Sequence, residues 1–395
     1  MSGQTIAVCM FDNESVRGGA EEHMLGLLRL LDRTRFHLLL ACPEELLAVL
    51  EPDLPRDVKV LAVAPHSPKQ VRAMHNLYRF LRSERVQILH SHGFRSSLIA
   101  SPIGRAAGVP VTLETPHVRE FWRKGWKASY AIDRQSARFV DRYIAVSEAN
   151  RKYLVEEKRL PQNKVTLIRN GCDVQRFIPQ HRAPSSLRMS AGFETNDPLL
   201  LVAGRLEPQK GHIVLLRAIA QLKSEFPHLR LVALGEGSLR DELQMHIRKL
   251  GLLGSVHMPG HTSDIRDWMA AANVCVLPSF AEGLPLFAME CLAAARPMVA
   301  SAVDGTPEII VNGKTGLTFP PGDAEGLARA IARLLLDRAF AAQLGYAGSV
   351  WVREWFTLDR QIRETEELYE VAWCEKTGKP ISTHVEHETK ELVPE

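Results

Sequence analysis

The chain has little that would tie it to disulfides, nucleic acid or a membrane interior. Its six cysteines, Cys9, Cys42, Cys172, Cys275, Cys291 and Cys374, include no C-x-x-C pair. They read as buried thiols in a reducing compartment, neither a disulfide framework nor metal ligands. No apolar run approaches the roughly 18 residues of a spanning helix, and Met1 to Gln4 leads straight into a strand without a signal-peptide pattern. The expected localisation is cytoplasmic, with attachment to the inner face of a membrane left open. A formal charge of +3 is too small to imply nucleic acid. The fingerprint G-x-G-x-x-G and the P-loop are both absent, which counts against a nicotinamide-dependent oxidoreductase.

What is present is 395 residues, 45% hydrophobic and 24% charged, a soluble balance with length enough for two domains and two cores. Apolar runs at Thr5–Met10, Phe36–Ala41, Val58–Val63, Val86–Leu89, Val111–Glu114, Tyr143–Val146 and Val165–Ile168 alternate with helical stretches such as Val71–Arg82 and Leu98–Ala107. Such alternation predicts a parallel sheet covered on both faces. Pro179–Pro198 breaks the pattern as a linker. It then restarts with Leu199–Ala203, Leu229–Leu234, Val256–Met258, Val274–Leu277, Met298–Ala300 and Gly316–Phe319. Helices are expected at Ala324–Leu336 and Ala341–Val352, with a last one at Leu358–Cys374 reaching back to the first domain. The expected fold class is α/β, with two Rossmann-like doubly wound domains: residues 1–180, a linker at 181–197, residues 198–357, the helix 358–374 returning to the first domain, and a polar tail at 376–395.

Several loops at strand carboxyl ends carry candidate chemistry. In Ser279–Glu290, Glu282 lies in a loop and Glu290 in the first turns of a helix opening at Leu286, so both acids sit near the end of one strand, where open α/β sheets bind ligands. Either acid alone is equally consistent with helix-start electrostatics. Gly204-Arg205-Leu206-Glu207-Pro208-Gln209-Lys210-Gly211 sets a guanidinium and an ammonium at the end of the second domain's first strand, a pair suited to a diphosphate; a solvated loop is the alternative. Gly235-Glu236-Gly237 ends the next strand at the same edge. Gly18-Gly19 opens a helix after the first strand, either as a tight turn or as a place where a phosphate meets backbone N–H groups.

In that order, Gly204-Arg205-Leu206 with Lys210-Gly211, Gly235-Glu236-Gly237 and Glu282-x₇-Glu290 resemble the motifs of the retaining glycosyltransferases of family 4, which have the GT-B fold. The resemblance extends to about Cys374 and includes Gly18-Gly19-Ala20-Glu21, His90-Ser91-His92-Gly93, Thr115-Pro116-His117, Val146-Ser147-Glu148, Asn170-Gly171-x-Asp173, Thr306-Pro307-Glu308 and Asn312-Gly313-x-x-Gly316. It implies two domains facing each other across a cleft and transfer of a sugar from a nucleotide-diphosphate donor to an acceptor hydroxyl. By the resemblance, Arg205 and Lys210 hold the diphosphate, Glu282 contacts the transferred sugar, Glu290 binds the ribose hydroxyls and His117 contacts a sugar hydroxyl. Backbone amides from Gly283 through Leu284 and Pro285 to Leu286, and at Gly19, support the sugar and phosphates; Gly204, Gly235 and Glu236 complete the donor site. The co-substrate is expected to be a UDP-sugar in preference to a GDP-sugar, with no separate cofactor.

No metal is expected. The chain contains no D-x-D, the usual diphosphate-metal handle of the other glycosyltransferase architecture, and His90, His92 and His117 fit no compact zinc spacing. Two departures from the family pattern stand out: Asp304-Gly305 where Gly-Gly is usual, and Ala295-Arg296 where a glycine usually precedes the proline of the next strand. In the basic, aromatic stretch Arg119–Arg142, the residues Arg119, Trp122, Arg123, Lys124, Trp126 and Lys127 form a candidate surface for a lipid-linked acceptor or anionic membrane. Packing of its aromatic stripe against its own domain is the alternative. A polysaccharide, lipopolysaccharide or glycolipid acceptor is the expectation. The rival functions are a sugar-nucleotide epimerase or hydrolase on the same fold, and a nucleotide-sugar-binding protein without catalysis.

Overall fold

Runs of buried aliphatic residues set the frame. The computed structural model describes residues 5–63, 70–119, 130–178, 185–262 and 265–379. The first sheet contains β1 (Ile6–Phe11), β2 (Phe36–Cys42), β3 (Lys59–Ala62), β4 (Ile88–His92), β5 (Val111–Thr115), β6 (Arg142–Ala145) and β7 (Val165–Leu167), in the order β3-β2-β1-β4-β5-β6-β7. The second contains β8 (Leu199–Ala203), β9 (Arg230–Leu234), β10 (Val256–Gly260), β11 (Val274–Leu277), β12 (Met298–Ser301) and β13 (Leu317–Phe319), in the order β10-β9-β8-β11-β12-β13. Neighbouring strands are parallel, with Ile6 opposite Phe36 in one sheet and Cys275 opposite Met298 in the other. Every residue of β1 and of β11 is buried, because helices cover both faces and no position of a central strand meets water.

This is the expected α/β fold with two Rossmann-like domains. Strand order reverses between β1 and β4 and again between β8 and β11, and a crevice opens at the carboxyl ends of the strands on either side of each reversal. The loops after β8 and β11, which hold Arg205, Lys210 and Glu282, therefore flank one crevice. The loop after β1 and the end of β4 flank the other.

The chain crosses between the domains twice, side by side. Cys172 N donates to Phe356 O at 3.0 Å, and Leu358 N donates to Cys172 O at 3.0 Å. Val174 and Phe177, inside the expected first domain, already pack in the core of the second. Within the stretch read as a linker, Ser185–Ser190 is a helix; Arg188 fastens it by donating to Asp197 O at 2.6 Å. The final helix, Leu358–Thr377, lays Ile362, Leu368, Tyr369 and Ala372 on the first sheet. Cys374 on that helix is exposed, in contrast to the other five cysteines. Among the described residues, no helix is long and apolar enough to cross a membrane.

Candidate active site

Gly204 follows β8 directly, and its N–H donates to Leu234 O at 3.0 Å, tying this turn to the end of β9. The exposed Arg205 side chain then reaches over to the first domain. Its Nε lies 3.8 Å from where a Cβ on Gly18 would stand, at the start of the helix Gly19–Leu30. A side chain built on Gly19 would meet nothing within 4 Å. A helix start with open space in front and a guanidinium beside it is a setting for an anion. Gly18 N donates to Glu21 Oε2 at 2.6 Å; burial pushes the Glu21 carboxyl up, while nearby Arg205 draws it down.

Lys210 and Glu282 are partners. Lys210 Nζ stands 2.6 Å from Glu282 Oε1, and the same oxygen accepts from Ser279 Oγ at 2.6 Å. Glu282 is 4% exposed, so the ammonium offsets a charge that would otherwise be costly to bury. The Glu282 N–H donates to Asp304 Oδ2 at 2.9 Å. The next residue, Gly283, touches the first domain: a Cβ there would stand 1.7 Å from His117 O, so the contact accepts only glycine. Leu284 is buried, and its carbonyl accepts from Asn170 Nδ2 at 3.1 Å. Pro285 caps the helix Leu286–Ala293 but has no N–H. The amides on offer in this turn are thus those of Gly283, Leu284 and Leu286, one fewer than the resemblance implies.

Glu290 is the fifth residue of that helix. Its carboxyl is pushed up to about 7, first by burial and then by Glu22 of the facing domain, with Arg176 opposing; part of its surface remains open. Gly235 N donates to Gly260 O at 2.8 Å. Glu236 is exposed and pairs with Arg240 at 2.9 Å, and Arg240 also donates to Met258 O at 2.9 Å, so this rim is built of side chains locked to each other and to backbone.

On the first domain, His92 ends β4 and His117 follows β5. Their rings stack at 5.3 Å with an interplanar angle of 14°, and His92 Nδ1 lies 3.0 Å from His117 Nε2. His23, from the helix Gly19–Leu30, meets His117 edge-on at 4.8 Å and has Asn170 Oδ1 2.9 Å from its Nδ1. His90 has Tyr369 Oη at 2.6 Å and Thr115 Oγ1 at 2.7 Å, a structural role. Burial lowers all four imidazoles, His23 to about 4 and His90 to about 3, with neighbouring histidines adding for His90, His92 and His117. They are neutral near pH 7, so each offers one donor and one acceptor. One nitrogen from each of His23, His92 and His117 falls within 4.8 Å of the others, and His23 Nε2 and His92 Nε2 lack partners among the described residues.

Two residues of this rim carried no sequence motif of their own. His23 sits one helical turn beyond Gly19, a spacing that would have placed it beside the glycine loop. Asp12 follows β1 and is buried; its Oδ1 accepts from Asn13 N at 2.6 Å and Glu14 N at 3.0 Å. Its carboxyl is pushed up to about 8 by burial, then by Glu21.

The two halves of the site match two family models. The one described as Glycosyl transferases group 1 covers residues 185–351, and the one described as Glycosyltransferase Family 4 covers residues 17–176. The chain belongs to the group 1, family 4 glycosyltransferases. The glycosyltransferase is 24% identical over 337 residues to the UDP-Gal:alpha-D-GlcNAc-diphosphoundecaprenol alpha-1,3-galactosyltransferase of Escherichia coli, covering 81% of this chain and 85% of that one. It is 29% identical over 316 residues to a glycogen synthase of Mycobacterium tuberculosis, covering 78% and 74%. Among solved structures, Anabaena Alr3699/HepE in complex with UDP-glucose superposes with a TM-score of 0.82 at 20% identity, over 93% of this chain and all of that one. The fold is GT-B.

Arg119 of the glycosyltransferase pairs with Glu157 and lies 4.9 Å over the Tyr153 ring. Tyr130, the aromatic residue that follows Trp122 and Trp126 at helical spacing in the stretch Arg119–Arg142, is buried and edge-on to Tyr153 at 6.0 Å, which is packing against its own domain. Trp122, Arg123, Lys124, Trp126 and Lys127 lie outside the described residues.

Proposed function

We propose that the enzyme transfers a sugar from a nucleotide-diphosphate donor to an acceptor hydroxyl with retention of anomeric configuration, inside the cleft between its two domains. The observation that carries this reading is the reach of Arg205 from the second domain to the glycine start of the first domain's helix. A diphosphate lying between them meets a guanidinium, the Lys210 ammonium and the positive end of the helix Gly19–Leu30 at once. On this reading Lys210 releases part of its hold on Glu282 as the donor enters, and Glu282 turns to the sugar hydroxyls. Glu290 accepts from the ribose.

In the front-face mechanism the bond from the anomeric carbon to the phosphate oxygen breaks, the acceptor oxygen attacks from the same side, and its proton passes to the departing phosphate. Arg205 and Lys210 stabilise the charge left on the diphosphate, and no protein nucleophile or metal is needed. His117, held neutral, donates to or accepts from a sugar hydroxyl. A UDP-sugar is favoured as donor: Anabaena Alr3699/HepE is solved with UDP-glucose, and the Escherichia coli relative is named for UDP-Gal. That relative's acceptor is a diphosphoundecaprenol lipid, which supports a lipid-linked or polysaccharide acceptor at the cytoplasmic face of a membrane.

A panel of nucleotide sugars read by thermal shift tests donor binding, because a ligand of the native state raises its melting temperature. NMR of the product tests retention. Inverted product, or no shift with any nucleotide sugar or nucleoside diphosphate, overturns the reading. Free sugar or an epimer from donor alone would favour a hydrolase or epimerase instead.

A further inference from the structure

Both places where the sequence departs from the family's glycines adopt the left-handed backbone that glycine favours: φ is +53° at Ala295 and +41° at Asp304. There a Cβ crowds its own backbone, so each side chain sits under strain. The two positions differ in what the side chain does. Ala295 lies in the turn between the helix Leu286–Ala293 and β12, and a methyl group makes no hydrogen bond. Asp304 sits between β12 and the helix Thr306–Ile309, and its Oδ2 accepts from the N–H of Glu282 at 2.9 Å.

The neighbours make this hydrogen bond a fixed one. Gly305 is wedged so that a Cβ would stand 2.1 Å from Gly283 O and 2.8 Å from Ser147 Cβ of the first domain. Three residues on, Glu308 accepts from Ala149 N at 3.2 Å and from Arg169 Nε at 3.0 Å, both across the domain boundary. Gly305 and Glu308 therefore brace the segment that carries Asp304 against the first domain. Asp304 is half-buried, with Arg119 of the first domain supplying opposite charge and Glu282 and Glu157 like charge.

We propose that Asp304 is a positioning residue for the transfer reaction: its carboxylate fixes the Glu282 amide, and with it the direction in which the Glu282 side chain meets the donor sugar. The inference rests on the reading of Glu282 as the sugar contact. In a chain with glycine at this position the amide has no such acceptor, so the aspartate replaces a relaxed turn by a strained but anchored one. The anchored amide orients a group aimed at the sugar.

Three variants test this: Asp304→Gly, Asp304→Asn and the control Ala295→Gly. Each is assayed for UDP binding by calorimetry and for transfer, read as UDP released from the UDP-sugar that the thermal-shift panel selects in the presence of a GlcNAc-diphosphoprenol acceptor, beyond the release from donor alone. Asp304→Gly relieves the strain and removes the acceptor, so its melting temperature is unchanged or higher while kcat falls by about tenfold or more with UDP affinity held within about twofold. Asp304→Asn keeps an acceptor oxygen and tolerates the left-handed backbone, so its kcat stays within about threefold of the parent. Ala295→Gly gains stability without loss of turnover. Unchanged kcat in Asp304→Gly, or Asp304→Asn as impaired as Asp304→Gly, overturns the proposal. Failure of the underlying reading shows separately, as unchanged turnover in Glu282→Ala, and the proposal falls with it.

Discussion

Glu282 and Glu290 are eight residues apart in sequence and live in different settings. Glu282 is sealed beneath Lys210 and Ser279, whereas Glu290 sits on a helix within electrostatic reach of Glu22 of the facing domain. On the proposed division of labour, Glu282→Ala lowers kcat by about a hundredfold with little change in donor affinity, while Glu290→Ala mainly weakens donor binding by about tenfold. Steady-state kinetics together with calorimetry separate the two; equal effects on affinity alone would refute the division. Glu290 also makes a pH prediction. Its folded value of about 7 lies above the ordinary 4.5, so the stability tied to its protonation is fully present below 4.5 and is lost as pH rises through 7. Ribose hydroxyls favour the ionised form, so donor binding near pH 7 should release a fraction of a proton. Calorimetry in buffers of different ionisation heat measures that release, and Glu290→Gln should abolish it. These settings were only partly legible in the sequence: spacing put both acids at one strand end, but Lys210 and Asp304 reach the Glu282 turn from distant stretches of chain.

The turn from β11 into the helix Leu286–Ala293 shows how elements build the cleft. Its glycine packs backbone to backbone on His117 O, so Gly283→Ala forces the turn and the first domain apart. Turnover should fall by about a hundredfold or more, with far-UV circular dichroism unchanged; normal turnover would mean that this contact is dispensable. Strands were legible where burial is purely apolar, as at Leu199–Ala203 and Val274–Leu277, whose observed limits match the runs. The apolar run Val86–Leu89 instead became β4 at Ile88–His92. Its last three residues are His-Ser-His, all buried in the sheet: His92 meets His117, and His90 is held by Tyr369 and Thr115. A polar strand end defeats a reading based on hydrophobic runs, and it does so where function sits. The helix Ser185–Ser190 inside the stretch read as a linker was missed for a different reason: it is short, and Arg188 and the packing of Leu187 hold it in place.

At the scale of the molecule, the final helix returns to the first domain and joins the histidine network through Tyr369, which buries its ring against Phe36 at 5.8 Å and hydrogen-bonds His90. Tyr369→Phe keeps the ring and loses the bond, so the protein should lose about 1 kcal/mol of stability in denaturant unfolding, with donor affinity unchanged. The two-domain plan was legible because alternating strands and helices can bury their apolar faces in few ways. The crossing at Cys172 and Thr357 was not, since it depends on two segments far apart in sequence running side by side. The proposed reaction turns on a diphosphate gripped between the domains. Calorimetric titration with UDP, on the parent protein and on Arg205→Ala, tests that most directly. The expected result is saturable binding by the parent and a loss of about tenfold or more in the variant, the worth of a charge-assisted contact; equal affinity in both, or no binding by the parent, would contradict it.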